Sequence, residues 1–261
     1  MTEPTPPEPP GTASEAGSEE DGADPVGTVS APPGEADAVA FADPGYRAAV
    51  VDLLGAVAYG ELSAFERLAE DSRHAPDLTD KIALATMACI QFGHVQPLLH
   101  RIHSLGVSPV AAMDPFRKPF DAFHAKTAPS DWLEGLVKAY VGDGLAADFY
   151  REVAAFLDAG TRELIIESLA DAGYADFAVD RVRRAIAADP RVGGRLALWA
   201  RRLMGEALSQ AQRVAAERDS LAALLAGGVD RPGMDLAALG RMFSRITENH
   251  VQRMSELGLA S

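Results

Sequence analysis

The chain has 261 residues, 48% hydrophobic and 24% charged, with a formal charge of −14, which is material for one large globular domain. Its single cysteine, Cys89, excludes an intramolecular disulfide and fits a reducing cytoplasm, the expected location. No stretch runs uninterrupted and apolar for the roughly 20 residues of a membrane helix, so no membrane association is expected.

The first 42 residues are rich in Pro, Gly, Ser and Glu and nearly free of bulky apolar side chains. Such a segment cannot bury enough surface to offset its ordering entropy, so residues 1–42 read as a disordered acidic tail and 43–261 as the folded domain. The tail lacks the basic and apolar regions of a signal peptide. No Lys or Arg precedes Arg47, while ten acidic residues do, so the body carries only about −4. The acidity belongs to the tail.

From Pro44 onward apolar residues recur at three and four, and no β-branched run alternates. The periodicity predicts helices near 45–74, 78–105, 130–158, 161–188, 191–226 and 235–257. Asp43-Pro44 opens the first and Gly106 closes the second; Ser130 or Asp131 caps the third, and Asp189-Pro190 ends the fourth. The link over 107–129 carries Pro109, Pro115, Pro119 and Pro129, with room for a short helix around 112–125. Two helices, a long crossover and two more helices make an all-α, ferritin-like four-helix bundle, here with additional C-terminal helices.

Each core helix offers polar groups inside an apolar stretch. The first has Glu61; the second has Gln91 and His94, which share a face at i and i+3. Cys89 lies off that face and reads as a small core residue, and Pro97 is expected to kink the helix one turn later. The third helix has Asp143, with Asp148 as a second choice, and the fourth has Asp171 and Tyr174, again three apart. The order matches the di-iron carboxylate template, Glu, Glu-x-x-His, Glu, Glu-x-x-His. The half-sites are spaced alike: Glu61 precedes His94 by 33 residues and Asp143 precedes Tyr174 by 31.

The stretches YGELSAFERLAEDS, FGH, TAPSDWLEGLVKAYVGDGLAADFYREVA and RLALWARRLMGEALSQAQ make the chain, over about 45–259, resemble bacterial ferritin-like proteins related to the tRNA hydroxylases of methylthio-isopentenyl-adenosine. The resemblance implies an oxygen-dependent non-haem di-iron centre with two iron ions and a tRNA nucleoside substrate. It matches Glu61, His94, Asp143 and Asp171 to metal ligands, and it finds departures at Gln91 and Tyr174, where that family carries a carboxylate and an imidazole.

Those departures weaken the template. A neutral amide cannot offset two metal charges, and a phenol must first lose a proton from a group of pKa near 10. None of the six histidines lies on the third or fourth helix. The same polar groups can instead form a metal-free hydrogen-bonded network across the bundle. Two functions therefore stand: a ferritin-like protein of the tRNA-hydroxylase-like group with weak or absent metal binding and reduced or lost catalysis, and an active di-iron hydroxylase. Arg181, Arg183, Arg184, Arg201 and Arg202 lie in a basic stretch that leaves tRNA open as a partner, against the plainer reading of solvated faces paired with acids. The long amphipathic helix from Arg191 either covers the bundle or makes a homodimer.

Overall fold

The computed structural model describes residues 41–171, 173–227 and 233–260. All of them fall within residues 33–261, the second of the chain's two units. The expected tail at 1–42 lies outside the described residues except for its last two positions. Of those, Phe41 already belongs to the packed body: its ring stands 5.4 Å from that of Tyr46, and the Arg101 guanidinium lies 5.1 Å over it.

Helix α1 spans Pro44–His74; Asp43 accepts a hydrogen bond from the Gly45 amide at 2.8 Å, and Pro44 occupies the first turn, where a missing amide costs nothing. Three residues turn the chain into α2, Leu78–Ser104, capped by Asp77, so the two helices pack antiparallel along their length. The crossover is more ordered than its prolines suggested. It holds an 18-residue helix α3, Pro109–Lys126, which packs on α1. Then α4, Trp132–Ala154, opens with Asp131 accepting from the Glu134 amide at 2.9 Å, while the Glu134 carboxylate accepts from the Ser130 amide at 2.8 Å.

The fourth helix is where the periodicity misleads. Instead of one helix over 161–188, the chain forms α5, Ala159–Ser168, and α6, Tyr174–Ala188. Gly173 between them takes φ +87°, a left-handed conformation that glycine reaches without the Cβ clash other residues meet. The predicted helix over 191–226 is also two: α7, Arg191–Glu217, and α8, Asp219–Ala226, parted at Arg218, whose guanidinium binds Asp52 of α1. A final helix α9, Leu236–Glu256, returns onto α4.

Helices α1, α2, α4 and the α5–α6 pair form the four-helix bundle, and α3 bridges α1 to α7. Two apolar clusters fill it. One is built on Tyr46, Leu53, Leu54, Leu98 and Ile165, the other on Leu68, Leu84, Leu136, Leu196 and Leu203. Cys89, expected in the core, is exposed on the outer side of α2. By length and composition α1 and α2 could each cross a membrane, with 18-residue windows of mean hydropathy 1.4; that window is 61% buried in α1 and only 22% buried in α2. Core burial accounts for the apolar character of α1. It does not account for that of α2.

Helices α1 and α3 approach closely at Gly55. A Cβ there would lie 2.2 Å from the Ala112 carbonyl oxygen and 2.7 Å from its carbon, so α1 and α3 touch backbone to backbone. Gly55→Ala must push the helices apart and is expected to cost about 1–3 kcal/mol, read as a fall in the denaturant midpoint. An unchanged midpoint would contradict this packing.

Candidate functional site

A cavity of about 950 Å³ lies in the bundle interior, bordered by residues of both apolar clusters. Aromatic side chains from four elements line it, among them Phe116, Phe120 and Phe123 of α3, Phe149 of α4, Tyr174 of α6 and Phe243 of α9. Five of the six residues singled out in sequence line it: Glu61, Gln91, Asp143, Asp171 and Tyr174. His94 does not. Its side chain is half-buried on α2, its Nδ1 is buried with no hydrogen-bond partner among the described residues, and burial lowers its pKa.

Glu61 is buried at 7% exposure and accepts a hydrogen bond from the Gln91 amide nitrogen. Its pKa is raised to about 8, first by burial and then by the charge of Asp143. Asp143 lines the cavity and keeps exposed surface; desolvation, then Asp171 and Asp71, push its pKa to about 7. Glu61 is thus largely a neutral acid near neutral pH, and Asp143 titrates there. Tyr174, at 7% exposure, donates its hydroxyl to the Leu136 carbonyl at 3.0 Å. Burial and the charges of Asp71 and Asp143 hold its pKa well above the ordinary phenol value, so it stands in the wall as a phenol.

Asp171 reaches the site differently from the expectation of an i, i+3 pair on one helix. It sits in the link before α6, exposed, and its carboxylate accepts from the amides of Tyr174 at 2.9 Å and Ala175 at 3.4 Å. It caps a helix start, where an anion is favoured. Asp148, the second choice on α4, is paired with Arg253 of α9 and, at 3.6 Å, with Arg151.

The sequence reading missed three cavity groups. Asp71, at the end of α1, has its pKa raised to about 6 by burial. Lys138 on α4 is 6% exposed; its ammonium lies 5.7 Å from the Phe123 ring centre and has no hydrogen-bond partner among the described residues. Burial and the neighbouring Arg67 lower its pKa to about 8. His124 of α3, whose ring nitrogens are likewise buried and unpartnered among the described residues, is pushed down to about 3, chiefly by burial, and is neutral at physiological pH.

Among the described residues no three His, Cys, Asp or Glu side chains converge in a group that could hold a metal ion. The basic stretch is knitted into the body. Arg181 forks onto Asp80 at 2.9 and 3.1 Å, Arg184 meets Asp180 at 3.0 Å, Arg183 reaches the Glu256 carbonyl at 2.6 Å, Arg201 the Ala260 carbonyl at 3.1 Å, and Arg202 the Lys126 carbonyl at 2.7 Å.

A bundle of this order with a long crossover, and with residues 44–228 matching the family model described as "Ferritin-like domain, actinomycetes", decides the family. The chain is a ferritin-like protein. No curated protein gives a match to it. The matched region of this ferritin-like chain takes in every cavity-lining helix except α9.

The buried acids give the protein a distinctive pH response. Below about pH 4.5 Glu61 is neutral in both folded and unfolded chains; as pH rises, the unfolded chain loses its proton near 4.5 but the folded chain holds it to about 8. Stability must fall across that window, because the folded state binds the extra proton. Glu61→Gln keeps an acceptor for Gln91 and removes the titration. It is expected to raise stability at pH 8 by on the order of 2 kcal/mol and to change little at pH 4.5. A uniform gain or loss at both pH values in chemical denaturation would contradict the raised pKa.

Proposed function

We propose that this ferritin-like protein belongs to the tRNA-hydroxylase-like group but has lost oxygen-activating catalysis, and that its interior serves as a binding cavity for a small organic molecule. The observation that carries the reading is the hydrogen bond from Gln91 to Glu61. It sets a neutral amide against the carboxylate that the di-iron template would commit to metal, where that template has a second carboxylate to offset the metal charge.

The rest of the donor set does not fit a di-iron centre either. His94 lies off the cavity wall, Tyr174 spends its proton on a backbone carbonyl, and Asp171 is engaged as a helix cap. With pKa values raised to about 8 and about 7, Glu61 and Asp143 would have to give up protons on taking a metal near neutral pH. The volume, near 950 Å³, and the aromatic lining support an organic occupant, being of the size and composition of small-molecule sites. The contacts made by Arg181, Arg183, Arg184, Arg201 and Arg202 favour a structural role for the basic stretch over a tRNA surface.

Iron content after aerobic reconstitution tests this. The wild type is expected to retain less than one iron per chain. Gln91→Glu combined with Tyr174→His is expected to stay below one as well, because His94 remains off the cavity and Asp171 remains in the cap. Two irons in the wild type, with a phenolate-to-iron absorption lost in Tyr174→Phe, would establish a working variant centre and the hydroxylase reading with it.

A further inference from the structure

Helix α2 buries one apolar side and carries several large apolar residues on the other, among Thr86, Gln96 and His100. Toward the bundle it buries Leu84, Ala88, Val95, Leu98 and Ile102. The opposite side of a water-facing helix ordinarily carries the charge, yet residues 82–100 include no Lys, Arg, Asp or Glu. Leu78, Ile82, Ile90 and Phe92 keep 69%, 58%, 44% and 40% of their surface exposed. At 100° per residue, Ile82, Cys89 and Gly93 fall along the middle of the exposed arc, with Ile90 and Phe92 on its two flanks.

We propose that this face is a two-fold interface between two copies of this chain, with α2 crossing α2 of the second copy in antiparallel sense about Cys89. The area supports a stable contact: those four large side chains alone expose on the order of 400 Å², about half of the ~800 Å² that each partner contributes to a specific interface. The charge selects the occupant. The folded body carries only about −4, and a two-fold contact sets a face without Lys, Arg, Asp or Glu against itself, so the two copies meet with no like charges opposed there. The acidic first 42 residues, with nine carboxylates and no cation, are the wrong chemistry for it. A lipid surface is matched by a helix with Lys or Arg along its polar flank, and this arc has none between Lys81 and Arg101. Cys89 and Gly93 at the crossing leave room for the two helix axes to approach to the ~8 Å of a close helix pair.

Cys89 is the chain's one thiol, so it reports on the crossing directly. Full-length wild type, sized by light scattering at about 100 µM, is expected to show twice the 27.5 kDa chain mass. Diamide oxidation of the folded protein is expected to give a covalent dimer that reductant reverses, since a two-fold axis near Cys89 brings the two sulfurs within bonding reach. Ile82→Glu with Ile90→Glu, both at exposed positions, is expected to give the one-chain mass and no cross-link, with an unchanged circular dichroism spectrum. Cys89→Ser is expected to lose the cross-link and keep the two-chain mass. A one-chain mass in the wild type, including one accompanied by binding to phosphatidylcholine vesicles, would overturn the proposal. So would a dimer that survives the double substitution or that fails to cross-link through Cys89.

Discussion

A carboxyl group held inside a helical bundle must find a cation, a metal or a proton, and the choice made at Glu61 sets the character of the whole interior. Gln91 answers Glu61 with a neutral N–H, and no cationic side chain reaches it within bonding distance among the described residues. Burial then holds the proton on. Burial, and then the charges of Asp171 and Asp71, raise the pKa of Asp143 as well, to about 7. Tyr174, hydrogen-bonded to Leu136, adds another neutral donor. Within the ferritin-like frame the cavity thus gathers Glu61, with its raised pKa, the phenol of Tyr174, and the ionisable groups Asp71, Asp143 and Lys138 beside aromatic side chains.

The surrounding helices make that arrangement durable. Glycine at position 55 lets α1 and α3 meet at the backbone and brings the phenylalanines of α3 to the cavity. Helix α9 closes another side, tied to α4 by Arg253 to Asp148 and Arg245 to Glu152 and by the Tyr140 hydroxyl to Glu256. Arg195 binds both Asp131 and Glu134 and fixes α7 against the start of α4. Arg245–Glu152 is partly open to water and screened, whereas Arg253–Asp148 is largely buried; together these pairs couple the added helices to the bundle, and none of them reaches Glu61.

Much of this was legible in the sequence because the signals were local. Asp43-Pro44, Asp131 and Asp189-Pro190 are capping and breaking chemistry that acts within one turn, and the structure uses each of them. The convergence of Glu61, Gln91, Asp143 and Tyr174 on one cavity followed from helix order and spacing. The break before α6 was missed because Ala170, Asp171 and Ala172 continue the helical composition, although Asp171 and Gly173 together are a cap and a left-handed glycine. Lys138, His124 and Asp71 were missed for another reason: they meet from three separate helices, and none is unusual on its own. Cys89 was placed in the core because an apolar run on both sides of a helix reads as buried, whatever covers its outer side.

The protonation of Glu61 is the most direct test of this account. Infrared difference spectroscopy of wild type against Glu61→Gln, in the folded protein at pH 7, should show a protonated-carboxyl band that belongs to residue 61, as a pKa of about 8 requires, and iron added in excess should leave it in place. An ionised carboxylate at residue 61 that shifts when iron is added would contradict the account and return the site to metal chemistry.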